Sequence, residues 1–109
     1  MAYPAGCVIV LLDPSLGQRH IINTEKKAVT CLSWAPDGDQ QLVSGESGHK
    51  PAVKVWDVGS LSCLVSLTGH KFGVRSVSFS PDNKFVISVS VVLDMDLQFN
   101  VFTLLLGWD

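Results

Sequence analysis

The sequence predicts an all-β fold built from repeating four-stranded units, and three observations predict it. Residues 28–38, AVTCLSWAPDG, match residues 73–83, GVRSVSFSPDN, without a gap at an offset of 45. The match resumes at an offset of 44, Gln41-Leu42-Val43-Ser44 against Phe85-Val86-Ile87-Ser88, so one residue is inserted at Asp39 or Gln40. Within each unit the apolar residues recur with a period of two, the spacing of a strand and not of a helix. Turn chemistry punctuates the units at Pro36-Asp37-Gly38, Val58-Gly59-Ser60, Thr68-Gly69-His70 and Pro81-Asp82-Asn83. Pro presets one backbone angle, while Asp, Asn and Gly tolerate the left-handed one.

Composition agrees. The 109 residues fit one small domain or a piece of a larger one. A chain of this size buries about 65% of the surface that it exposes unfolded, enough for one modest core. Charged residues are 17% and apolar ones 47%, with fifteen valines, which excludes intrinsic disorder. A net charge of −2 and a pI near 5.8 give no general attraction to nucleic acid or anionic membrane. The eight Lys and Arg are scattered and form no evident patch.

Strands are expected near 7–12, 19–23, 28–34, 41–45, 52–57, 62–67, 73–79, 85–90 and 97–103. The first, Cys7 to Leu12, is a six-residue apolar run that ends at Asp13 and lacks the basic flank of a secretory signal. In VTCLSW, alternation puts Val29, Cys31 and Ser33 on one face and Thr30, Leu32 and Trp34 on the other. In Ala52-Val53-Lys54-Val55-Trp56, Lys54 stands between two valines. Apolar residues on both faces mean strands covered on both sides, as in stacked sheets. The last apolar run, Val101 to Trp108, is far short of the roughly 20 residues of a membrane-spanning helix. The strands divide into a leading pair, one complete unit and three strands of the next. A period of 44 to 45 belongs to the four-stranded blades of β-propellers.

Val53-Lys54-Val55-Trp56-Asp57, then Gly69-His70, then VRSVSFSPDN resemble the WD-repeat (WD40) β-propeller family over nearly the whole chain to about residue 90. More narrowly, AYPAGCVIVLLDP (2–14), GESGHKPAVKVWDV (45–58) and GHKFGVRSVSFSP (69–81) resemble the mitogen-activated-protein-kinase-binding WD-repeat scaffolds, a group with a spindle-pole member. The resemblance implies a partial WD40 propeller of about two four-stranded antiparallel blades. The expected organisation is the last two strands of a preceding blade (1–27), a complete repeat (28–69), an incomplete repeat (70–103) and a divergent tail (104–109).

The resemblance also implies a structural network of His, Ser or Thr, Asp and Trp in each blade. In the first unit Ser44 and Trp56, followed by Asp57, match it, while Lys26 or a neighbour replaces the His and no Asp precedes Trp56. In the second, His70 and Ser88 match, Asp94 or Asp96 supplies the third member, and Phe102 stands at the Trp position without a donor. Neither network is whole. From Ser90 onward the sequence fits the repeat poorly, as a truncated or alternative ending of a longer product would. With two units and a fraction, both end sheets expose an apolar face, Val8 and Val10 at one end and Leu97, Phe99 and Val101 at the other. The expected consequence is a need for further blades or for self-association.

No catalytic or metal constellation stands out. His20, His49 and His70 are 29 and 21 residues apart, with no carboxylate or thiol at ligand spacing. Gly45-Glu46-Ser47-Gly48-His49 looks like a nucleophile elbow but precedes a turn and a strand, not a helix. Cys7, Cys31 and Cys63 lie in apolar alternating stretches and read as buried free thiols. Trp34, Trp56, Phe72 and Phe79 read as core aromatics, with Phe72 also a candidate contact. No cofactor and no metal are expected. The expected function is a non-catalytic protein-interaction scaffold in a reduced cytoplasmic setting, with a kinase or a spindle-pole protein as partner and no nucleic acid or membrane. An enzyme and a non-functional truncation are the competing classes. Loop 45–51 is two residues longer than the usual connection, and Glu46, His49, Lys50 and Phe72 are its candidate contact residues.

Overall fold

A computed structural model describes residues 1–13, 15, 17–22, 27–36, 40–48, 50–68, 70, 72–82, 84–91 and 97–103. Among them are ten strands and no helix. They are β1 (Ala2–Ala5), β2 (Val8–Asp13), β3 (Gly17–Ile22), β4 (Val29–Trp34), β5 (Gln41–Glu46), β6 (Val53–Asp57), β7 (Ser62–Leu67), β8 (Val74–Phe79), β9 (Phe85–Val91) and β10 (Leu97–Thr103). Three antiparallel meanders result: β1-β2-β3, β4-β5-β6-β7 and β8-β9-β10. The fold is all-β, with the strand order of a partial WD40 propeller. No helix among the described residues is long and apolar enough to cross a membrane.

The nine expected strands are present, and a tenth precedes them, so the leading pair is a three-stranded sheet. Pro4 hid it, because proline lacks the N–H that a central strand must donate. β1 is an edge strand, where that loss is tolerated. Its two-residue connection to β2, Gly6-Cys7, places Gly6 at φ 62°. That left-handed geometry suits a tight hairpin.

The sheets stack with the middle one covered on both faces. Ile9, Leu11 and Ile21 of the first sheet pack with Leu42, Trp56, Val58 and Val29 on one side. On the other side, Val43, Val53 and Val55 pack with Val74, Val77, Phe79 and Val86 of the third sheet. Period two on β5 and β6 sends neighbouring residues to opposite layers, which is why nearly every residue there is buried.

Strict alternation fails on β4. The β4–β5 register shifts between Val29 and Cys31, and the β8–β9 register shifts at the repeat-equivalent place, between Val74 and Ser76. A bulge adds one residue and reverses the parity of what precedes it. Val29 therefore packs in the same layer as Leu32 and Trp34, while Cys31 packs in the opposite layer. The expected grouping of Val29 with Cys31 is corrected accordingly. The bulge also brings the sheets together: Thr30 Oγ1 donates to the Val74 carbonyl at 2.5 Å, and Val29 N donates to the Gly6 carbonyl at 2.8 Å.

Two further expectations change. Cys63 is exposed, and Cys7 and Cys31 are only half-buried. β7 is the outer strand of its sheet: Val65 and Leu67 still pack against the core shared with the third sheet, whereas Cys63 faces solvent. Val10 is buried, although it lies on the expected bare face of the first sheet. Its cross-strand neighbours Tyr3 and His20 flank it. The side chains of Leu97, Phe99 and Val101 lie outside the described set.

Gly45 shows how tightly the second and third sheets meet. A Cβ there would stand 2.6 Å from Cys31 Sγ and 2.9 Å from Val74 Cβ. Cys31 Sγ ends its side chain and can rotate, but Val74 Cβ is fixed to its backbone, so the third sheet must move. Gly45→Ala is expected to destabilise by about 1–3 kcal/mol, the usual range for overpacking. Urea unfolding is the measurement, and an unchanged midpoint would show that the sheets lie farther apart.

Candidate functional site

The middle sheet carries a line of polar groups inside its apolar layers. Trp56 Nε1 donates to Ser44 Oγ at 2.8 Å, both residues being buried. Ser44 faces Lys54 across the ladder, and Leu42 faces Trp56. Lys54 Nζ lies 3.0 Å from Glu46 Oε2 and 5.9 Å from the centroid of the Trp56 ring. The other Glu46 oxygen accepts a bond from Ala52 N at 2.9 Å. Period two explains the grouping: Ser44 and Glu46 share one face of β5, and Lys54 and Trp56 the matching face of β6.

The third sheet brings together a different pair. His70 Nε2 and Ser88 Oγ are hydrogen-bonded at 2.7 Å, and both residues are buried. Phe102 pairs with Val86 as Trp56 pairs with Leu42, so the register puts Phe102 at the position of the Trp. Asp57 lies apart from both pairs. Its carboxylate accepts from Ser60 N at 3.4 Å and from Ser60 Oγ at 2.7 Å, closing the β6–β7 turn. Lys26, Asp94 and Asp96 lie outside the described residues.

The turn before β9 is built in the same way as the Asp57 turn. Ser80 Oγ donates to Asp82 Oδ1 at 2.6 Å, and Lys84 N donates to the same oxygen at 3.1 Å. The Ser80 hydroxyl, followed by the Lys84 amide, holds the Asp82 carboxyl below its ordinary range. Burial pushes the Cys31 thiol up, which keeps it protonated and unreactive. Among the described residues no group of three His, Cys, Asp or Glu side chains is arranged to hold a metal ion.

Of the candidate contact residues, Glu46 is not at the surface. It is fully buried, because β5 runs through it and its carboxylate turns inward to Lys54 and Ala52. That corrects its reading as a solvated loop residue. The signal was available: a lysine in a strand covered on both faces needs a countercharge, and Glu46 is diagonal to it. Lys50 is exposed at φ 52°, and Lys27 Nζ donates to its carbonyl at 2.8 Å. Phe72 is 46% exposed, so it is a surface aromatic and not a core one. Its neighbour Gly73 lies against Ser47, where an added Cβ would be 3.5 Å from Ser47 Cα. Ser47 N in turn donates to the Ala28 carbonyl at 3.0 Å. The connections before β4, before β6 and before β8 thus meet at one end of the sheets. His49 lies outside the described residues.

Stacked antiparallel meanders, a four-stranded one with a Trp–Ser bond and a three-stranded one with a His–Ser bond, define a repeat protein of the propeller class. The family model for WD domain, G-beta repeat matches residues 17–57 and 61–97, and the chain belongs to this family. Each matched segment opens on the outer strand of one sheet and continues into the next sheet. The chain is 52% identical over 75 residues to mitogen-activated protein kinase-binding protein 1 of Mus musculus, a match covering 68% of this chain and 5% of that protein. It is 47% identical over 75 residues to WD repeat-containing protein 62 of Sus scrofa, again covering 68% and 5%. The chain therefore spans about one-twentieth of the length of these relatives. A solved chain of hydrazine synthase from Kuenenia stuttgartiensis superposes with a TM-score of 0.77 at 17% identity, covering 94% of this chain and 30% of that one, a likeness of fold alone. The repeats and the relatives support a protein-interaction scaffold.

Trp56 joins its layer by area and by its N–H, and two substitutions separate these. Trp56→Ala is expected to cost about 3–5 kcal/mol. Trp56→Phe keeps most of the area and leaves the Ser44 hydroxyl unpaired, costing about 1–2 kcal/mol. Denaturant melts of both variants are the check: an unchanged melt for Trp56→Phe would assign the whole effect to packing, and equal losses would assign it to the N–H bond.

Proposed function

We propose that this chain acts as a non-catalytic protein-interaction scaffold whose contact surface is the end where the loops before β4, β6 and β8 meet. The observation that carries the reading is the conjunction at that end of exposed Lys50 and Phe72 on loops fastened to one another through Lys27, Ala28, Ser47 and Gly73. A rigid sandwich presenting fixed loops is suited to binding and supplies no reacting group of its own. Residues 1–27, 28–69 and 70–103 are read as successive repeat units, with Ser44, Trp56, Asp57, His70 and Ser88 in structural roles.

The partner proposed is a mitogen-activated protein kinase, which the name of one relative gives as that relative's partner. A cytoplasmic, cytoskeletal or spindle-pole setting follows only from the narrower family resemblance. Ile87 and Phe85 remain 37% exposed on the outer face of the third sheet, where Val43 at the equivalent place on the second is fully covered. Further blades or a second copy of the chain are proposed to cover that face.

The test shortens the loop by deleting Gly48 and His49 and compares capture of a purified mitogen-activated protein kinase. Capture by the intact chain, lost in the shortened one at an unchanged melt, is the expected result. Equal capture by both would remove the loop from the contact surface. No capture by either would remove the kinase.

A further inference from the structure

We infer that the buried Glu46–Lys54 pair is a positioning device that holds Ser47, Gly48, Lys50 and Pro51 in place for partner contact, which rests on the loop reading above. A buried ion pair is a poor stabiliser, since the desolvation of two charges offsets most of their attraction, and apolar replacements of like volume are often no less stable. The repeat shows that the sheet itself does not need the pair. Glu46 stands opposite Val29, and its counterpart opposite Val74 is Ser90. Lys54 stands opposite Ser44, and its counterpart opposite Ser88 is Asn100. The third sheet keeps the same register with two neutral residues. What differs is the segment between the strands.

In the second sheet that segment carries left-handed backbone at a residue that rarely adopts it. Gly48 takes φ 92° freely, being glycine, but Lys50, a residue with a side chain, has φ 52°. Left-handed backbone at a non-glycine persists only where its surroundings impose it, and such strain gathers at binding sites. The Glu46 carboxylate accepts from Ala52 N, two residues beyond Lys50, and is itself fixed by Lys54 from within the sheet. Lys54 lies beside the Trp56 ring, whose N–H is tied to Ser44, so the loop base is referred back to the buried layer. Lys27 fastens the tip through the Lys50 carbonyl. Both Glu46 and Lys54 are buried within the sheet and not displayed to a bound protein. They act through the loop.

The test replaces the pair by what the neighbouring unit uses, Glu46→Ser with Lys54→Asn, in the full 109-residue chain. The urea midpoint should stay near that of the unmodified chain, while amide exchange at Ser47, Gly48, Lys50 and Ala52 quickens by roughly tenfold or more, the signature of local and not global opening. Glu46→Leu with Lys54→Met keeps the volume without the charges and should show the same local rise, so a failure of the first variant to fold leaves the second to decide. Exchange that quickens evenly over β4–β7, or does not quicken at the loop, overturns the inference. Kinase capture should weaken together with the local rise. Quickened loop exchange in a chain that captures no kinase supports the positioning device and counts against the proposed partner alone.

Discussion

The structure depends on one constraint: the middle sheet is covered on both faces. Two-sided burial needs apolar residues at successive positions, and β6 supplies them with Val53 and Val55 toward the third sheet and Trp56 toward the first. Because strand neighbours point in opposite directions, the same five residues bind two different sheets at once. The close passage at Gly45 follows, since a bulged strand and the adjoining sheet converge where that glycine has no side chain. The repeat-equivalent bulge on β8 shows that the convergence belongs to the unit and is not a local accident.

Two-sided burial also dictates how the polar residues behave. Ser44, Glu46, Lys54, His70, Ser88 and Ser90 are all buried, and an unpaired polar group there would lose its hydration without compensation. The two units answer differently. One pairs Trp56 with Ser44 and Lys54 with Glu46, and the other pairs His70 with Ser88 and gives Ser90 to the Phe72 carbonyl. Among the described residues the first unit shows a Trp–Ser bond and the second a His–Ser bond. The register is kept and serine recurs at Ser44 and Ser88, while Glu46 gives way to Ser90 and Lys54 to Asn100.

The contact surface proposed for this chain lies where the layers end. The strands alternate in direction, so connections before β4, β6 and β8 fall on one side, and the short distances among Ala28, Ser47 and Gly73 make them a joint surface. Buried Glu46 and exposed Lys50 are four residues apart and play unlike parts, one inside the sheet and one outside it. A loop anchored in this way is stiffer than its length implies, and stiffness lowers the entropy lost on binding.

The sequence by itself determined the fold class, the unit length and nine of the ten strands. Those depend on local periodicity and on turns such as Pro81-Asp82-Asn83, which short-range sterics control. β1 was invisible because Tyr3-Pro4 reads as a strand breaker until the sheet is known to place it at an edge. Only tertiary structure decided which layer Val29 joins, since a bulge at Thr30 changes parity without leaving a mark in the alternation. It likewise decided that Cys63 and Phe72 face outward and that Glu46 faces inward, because burial depends on what lies across the sheet and not on the residue's own neighbours. The family motif located Ser44, Trp56, His70 and Ser88, whereas the pairing of Lys54 with Glu46 came from the register that sets two strands side by side.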